Sequence, residues 1–152
     1  MALKLSTGLV NAIMAEKSFK AALEGTGAAG FFIDIYSGAR LASPNDAATG
    51  TKLARITAAA GARLHFAAAA VDGVIAKAAA ETWQATGLAN GAAGYFRVVT
   101  DADAGDTSST TAIRVDGVIA VSGSDMDMTN TSIALGAPLL INTATFTMPV
   151  AA

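Results

Sequence analysis

No cysteine occurs in this chain, which removes disulfides, thiolate chemistry and cysteine-ligated metals together. A single histidine, His65, leaves the usual zinc ligand sets unfilled. Charge is scarce as well. Asp, Glu, Lys and Arg make up 14% of the 152 residues, against roughly 25% in an ordinary domain, and the net charge is −2. Phosphate affinity depends on clustered Lys and Arg, so nucleic acid is not an expected partner. Membrane is not expected either. The longest uncharged run, residues 128–152, is broken by Asn130, Pro138 and Asn142. It alternates Thr143, Thr145 and Thr147 with Ala144, Phe146 and Met148, the two-residue period of a half-buried strand. Residues 1–15 lack the unbroken apolar core and cleavage site of a signal peptide, because Ser6, Thr7, Gly8 and Asn11 interrupt them; synthesis in a cytoplasm is the expectation.

What the chain does have is apolar material. It is 53% hydrophobic, with a mean hydropathy of +0.47 and a mass of 15.1 kDa, enough for one core and more than a solvated surface needs. Part of that surface is therefore expected to be covered by neighbouring subunits, in a dimer or trimer. About a quarter of the residues are Ala, a poor strand former.

The N-terminal segment reads as two short helices. Ser6 or Thr7 can cap a helix carrying Leu9, Val10, Ile13 and Met14, and Ser18 can cap a second carrying Phe19, Ala22 and Leu23, closed by Gly25. We expect residues 1–25 to form a helical N-terminal arm, followed by a hinge of small residues through Gly30. From Phe31 onward the pattern is one of short strands separated by Gly, Asp and Ser turns. Candidates are 31–36, 52–57, 63–68, 74–78, 81–85, 95–100, 113–115, 118–121, 131–135 and 139–148. Such spacing predicts a mostly β chain: an antiparallel β sandwich, jelly-roll-like, over residues 26–152. The hexapeptide Val-Asp-Gly-Val-Ile-Ala occurs twice, from Val71 and from Val115. Asp-Gly between β-branched residues predicts a tight hairpin at each.

Chemistry-bearing motifs are few. His65 sits between Leu64 and Phe66, with Arg63 on the same strand face. No nucleophile or orienting carboxylate is written nearby, so it reads as a solvent-facing strand residue. The loop holding Asp101, Asp103 and Asp106 is the best cation candidate. It departs from the helix-loop-helix calcium pattern, since its Gly is displaced and Ala112 stands where a bidentate Glu belongs, so it reads as a solvated hairpin tip. Asp125 and Asp127 alternate with Met126 and Met128, which suggests an edge strand with its carboxylates outward. The phosphate-binding and nucleophile-elbow patterns are absent from the sequence. We therefore expect no catalytic, cofactor-binding or metal-binding residues. Candidate interface residues are Leu9, Ile13, Phe19 and Leu23, on helices too short to stand alone. Trp83 and Tyr95 join them, and with Phe96 they could form an aromatic patch.

The opening Met-Ala-Leu-Lys-Leu-Ser-Thr-Gly-Leu, the turn Ile35-Tyr36-Ser37-Gly38, and Gly94-Tyr95-Phe96-Arg97 resemble a family of small proteins encoded among the structural genes of tailed bacteriophages. So does Asn130-Thr131-Ser132-Ile133 before a Thr-rich, Pro-ended last strand. The resemblance covers most of the chain. It implies a virion component without enzymatic residues, made in the host cytoplasm: a capsid cement or decoration protein whose partner is a major capsid protein, with a tail or head-tail role as the rival. A carbohydrate-binding or adhesive module is the reading from a different class, and it would use exposed Trp83 and Tyr95.

Overall fold

The computed structural model describes residues 3–15, 17–25, 29–100 and 103–147. In chain order they form β1 (Lys4–Leu5), α1 (Thr7–Ala15), α2 (Phe19–Glu24), β2 (Phe31–Ser37), β3 (Lys52–Ile56), a 3-10 turn (Ala59–Gly61), β4 (Val74–Ala76) and β5 (Trp83–Thr86). There follow β6 (Gly91–Thr100), β7 (Arg114–Ala120), β8 (Met126–Asp127), β9 (Ser132–Ile133), β10 (Pro138–Ile141) and β11 (Thr145–Thr147). The chain is thus mostly β and antiparallel. The principal sheet runs β1-β7-β6-β2-β3, with β8 beside β7 and β9 beside β6, while β5 pairs with β10 and β4 with β11 in separate ribbons. One pairing, β7 with β8, is parallel. No helix among the described residues is long and apolar enough to cross a membrane.

The strand period decides what each face of the principal sheet meets. Phe31, Ile33, Ile35, Phe96, Val98, Val115 and Ile119 belong to the buried hydrophobic core, together with Trp83 of β5, Ile75 of β4 and Phe146 of β11. Phe66 lies tilted against Phe31 with ring centres 4.6 Å apart, and Trp83 meets Phe31 edge-on at 5.8 Å. The ribbons and the helices cover this face. The alternate residues Asp34, Tyr36, Tyr95, Arg97, Arg114 and Asp116 point the other way and are buried too, under loops.

Both helix starts follow the capping chemistry in the sequence. Ser6 Oγ accepts the Leu9 N–H at 3.1 Å and Ser18 Oγ accepts the Ala21 N–H at 3.1 Å. Gly25, at φ 72, closes α2. The segment is not set apart from the rest, however. Leu9 and Leu23 are 0% exposed and lie in the core. The Ser6 hydroxyl donates to Ala112 C=O and accepts the Arg114 N–H, and Glu24 Oε1 accepts the Phe66 N–H at 2.7 Å. Instead of reaching outward as an arm, the helices complete the body of their own chain. Part of the expected hinge, residues 26–28, and the Asp101 end of the acidic loop lie outside the described residues.

Three strand expectations are corrected. Residues 63–68 contribute only isolated bridges, at Leu64 and Phe66. The long last strand is two, β10 and β11, with residues 142–144 between them. The second Val-Asp-Gly-Val-Ile-Ala is no hairpin, because it runs straight through β7. The first is the expected tight turn, with a Val71–Val74 bridge and φ of 50° and 75° at Asp72 and Gly73.

Candidate functional site

Polar residues converge on the loop-covered face of the principal sheet. Strand register places Lys4, Asp116, Arg97, Asp34 and Arg55 opposite one another in turn across β1, β7, β6, β2 and β3, a row of alternating charge. Asp34, Arg97 and Asp116 are 0% exposed. Arg97 grips Asp116 through two bonds of 2.8 and 2.7 Å. Asp34 takes Arg55 through bonds of 2.6 and 2.7 Å, and Lys52 at 2.7 Å. Forked bonds to carboxylate are what make such buried ions tolerable.

The donors left over on these cations hold the covering loops. Arg97 donates to the carbonyls of Asp46 and Gly105, and Lys4 to those of Leu41 and Ala42. Arg114, also 0% exposed, grips Asp103 at 2.5 and 2.7 Å and donates to the carbonyls of Pro44 and Thr107. Burial acts to raise the Asp103 carboxyl, but the Arg114 fork and the Gly105 N–H overcome it and hold its pKa below the ordinary value. Asp103 is thereby engaged within the chain. Among the described residues no group of three or more His, Asp or Glu is placed to hold a metal ion.

Other sequence candidates are placed as follows. His65 Nδ1 lies 2.6 Å from Glu81 Oε1, while Glu81 Oε2 accepts the His65 backbone N–H and the Trp83 indole N–H at 2.9 and 2.8 Å. Burial works to raise the Glu81 pKa, and these bonds together bring it below the usual carboxylate value. This cluster fastens residue 65 to the strand carrying Trp83. Trp83 and Tyr95 are each 0% exposed, on opposite faces of the fold, so no exposed aromatic platform forms. Ile13 and Phe19 are half-buried. Asp125 is not turned outward: its carboxylate meets Arg40 at 3.3 Å and accepts the Val118 N–H at 2.9 Å. Asp127 is exposed and accepts the N–H groups of Gly123 and Ser124. The charge row was missed in the sequence, though its signal was there: single charges stand mid-strand between apolar neighbours at Asp34, Arg55, Arg97 and Asp116.

This inward use of charge determines the outer surface. Of the ten Lys and Arg residues only Lys17 is exposed. The ribbon of β5 and β10 is built from two tracts, residues 82–96 and 128–147, that contain no charged residue. Leu88, Leu135 and Leu140 are 53%, 67% and 60% exposed there. A groove of about 570 Å³ runs alongside, lined by Met128, Asn130, Ile133, Leu139 and Ile141 among others. The strands of this ribbon carry no charge, and Asp127 is the charged residue in the groove lining. No family model, curated protein or solved structure matches the chain.

Proposed function

We propose that this chain is a structural component of a bacteriophage particle, a capsid cement or decoration protein that stabilises the shell through contacts with a major capsid protein and with its own copies. The observation that carries the reading is the sparsely charged outer surface: among the described residues Lys17, Asp46, Asp72, Asp106 and Asp127 are the exposed charges, set in a skin mostly of Ala, Thr, Ser and Leu. Such a skin packs against a neighbour without stranding charge in a dry interface. The segments that resemble the bacteriophage structural family contribute Leu9, Tyr95 and Arg97 to the buried interior. The same proposal includes a sandwich-like layering, with the two ribbons as the second layer over the principal sheet. The adhesive-module reading loses its anchors, because Trp83 and Tyr95 are inaccessible.

Quantitative mass spectrometry of purified particles whose genome encodes the chain tests this. The expected result is a fixed, high ratio to the major capsid protein and shells that lose heat resistance when the gene is deleted. Absence from the particles overturns it, and a handful of copies per particle moves the chain to the tail or neck.

A further inference from the structure

The strand chemistry of β10 shows which way its backbone faces. Gly87 N–H donates to Ala137 C=O at 2.8 Å, and Pro138 stands opposite Thr86, so the bonded positions are 137, 139 and 141. Across β5, Gln84 exchanges both of its backbone bonds with Thr57 on the far side, which fits the same alternation. The N–H and C=O of Leu140, and the C=O of Pro138, therefore point away from β5. Among the described residues no strand pairs with that outer side. Proline is tolerated in a strand where its missing donor would face outward, as it does here. Natural edge strands usually carry Lys or another charge that discourages pairing; β10 is Pro-Leu-Leu-Ile.

We propose that β10 pairs antiparallel with β10 of a second copy of this chain, about a two-fold axis at Leu140. In that register each Leu140 N–H meets the other's carbonyl. Moving the axis to residue 139 sets Pro138 opposite Leu140 and loses one bond from each pair. A two-fold contact also sets every residue near its own image, so any charge there would face itself. The tracts 82–96 and 128–147 carry no charge themselves, and the charged residues that share a groove with Leu140 of β10 are Asp127 on one side and Arg55, held by Asp34, on the other. The Leu140 side chains, 60% exposed in the single chain, become cross-strand neighbours. A stable interface takes roughly 800 Å² from each partner, about a tenth of this chain's 7571 Å². The edge bonds must therefore be joined by neighbouring apolar surface. The groove beside β10, lined by Met128, Ile133, Leu139 and Ile141, supplies it. This contact specifies the self-association within the proposed function, and it stands whichever particle the chain enters.

The test uses the full chain in isolation. Light scattering during size exclusion at tens of micromolar should give twice 15.1 kDa, and Leu140→Lys should give the single mass with an unchanged circular dichroism spectrum and a cooperative melt that no longer depends on protein concentration. Because the chain lacks cysteine, Leu140→Cys treated with a short bis-maleimide should form a covalent dimer. Val121→Cys, at a position 65% exposed elsewhere, should not. A monomeric unaltered chain overturns the proposal. So does a dimer that survives Leu140→Lys, or one that cross-links equally well through both cysteine variants. Dimerisation through this edge by a chain absent from purified particles would leave the contact standing and remove the particle assignment.

Discussion

Tyr36 and Tyr95 lie ring against ring, 5.1 Å apart, yet their hydroxyls differ in what they meet. Tyr95 OH donates to Thr49 C=O at 2.7 Å and accepts the Thr49 N–H at 3.1 Å. Tyr36 OH is buried without a partner among the described residues, and burial, reinforced by the Asp34 carboxylate, pushes its pKa up to about 12. A buried hydroxyl without a bond costs about 1–3 kcal/mol, whereas one ordinary bond contributes about 1 kcal/mol. Tyr36→Phe is therefore expected to raise stability by about 1 kcal/mol and Tyr95→Phe to lower it by a similar amount, measured as opposite shifts in urea midpoint. The alternation of β2 was legible in the sequence, and it placed Phe32, Asp34 and Tyr36 on one face. That this face would be roofed by loops was not, because the roof is held by Arg97 and Arg114 reaching carbonyls on residues 44, 46, 105 and 107. Carbonyl partners leave no trace in composition or spacing.

Identical sequence takes two forms at the level of elements. Val71 to Ala76 bends at Asp72 and Gly73, both at positive φ, while Val115 to Ala120 stays extended in the middle of the sheet. Local propensity favours the turn in both. The difference is tertiary: Asp116 is bound by Arg97, Lys4 stands opposite it, and Gly117 sits so close to the Phe96 ring that a Cβ would fall 2.3 Å from it. The same substitution should then have unlike effects. Asp72→Asn, at an exposed turn whose conformation Asn adopts readily, is expected within about 0.5 kcal/mol of the unaltered chain. Asp116→Asn leaves the buried Arg97 uncompensated and is expected to cost about 3–5 kcal/mol. Equal costs in denaturant titrations would show that the Arg97 pair does not select the strand form. Helix caps were legible because Ser6, Ser18 and Gly25 act within four residues of themselves, whereas β7 could only be recognised from a partner 19 residues away.

For the whole molecule, the N-terminal segment is decisive. Removing residues 1–25 takes Leu9 and Leu23 from the core and the Glu24 carboxylate from Phe66 N–H. Each such leucine contributes roughly 1.5–3 kcal/mol of burial, a large share of a typical domain's about 5–15 kcal/mol. The truncated chain is expected to lose its cooperative thermal transition, followed by circular dichroism. A sharp transition would mean that the sheet and ribbons fold without the helices. The row from Lys4 to Arg55 has a further consequence, in time more than in equilibrium. Its ion pairs span two seams, Arg97 to Asp116 between β6 and β7 and Asp34 to Arg55 and Lys52 between β2 and β3, so drawing β6 from β7 or β2 from β3 leaves a buried ion unmatched before water can reach it. Those seams part late, which raises the barrier to opening without deepening the native well in proportion. A sheet wired this way outlasts its own free energy: the relevant measure of endurance is a half-life.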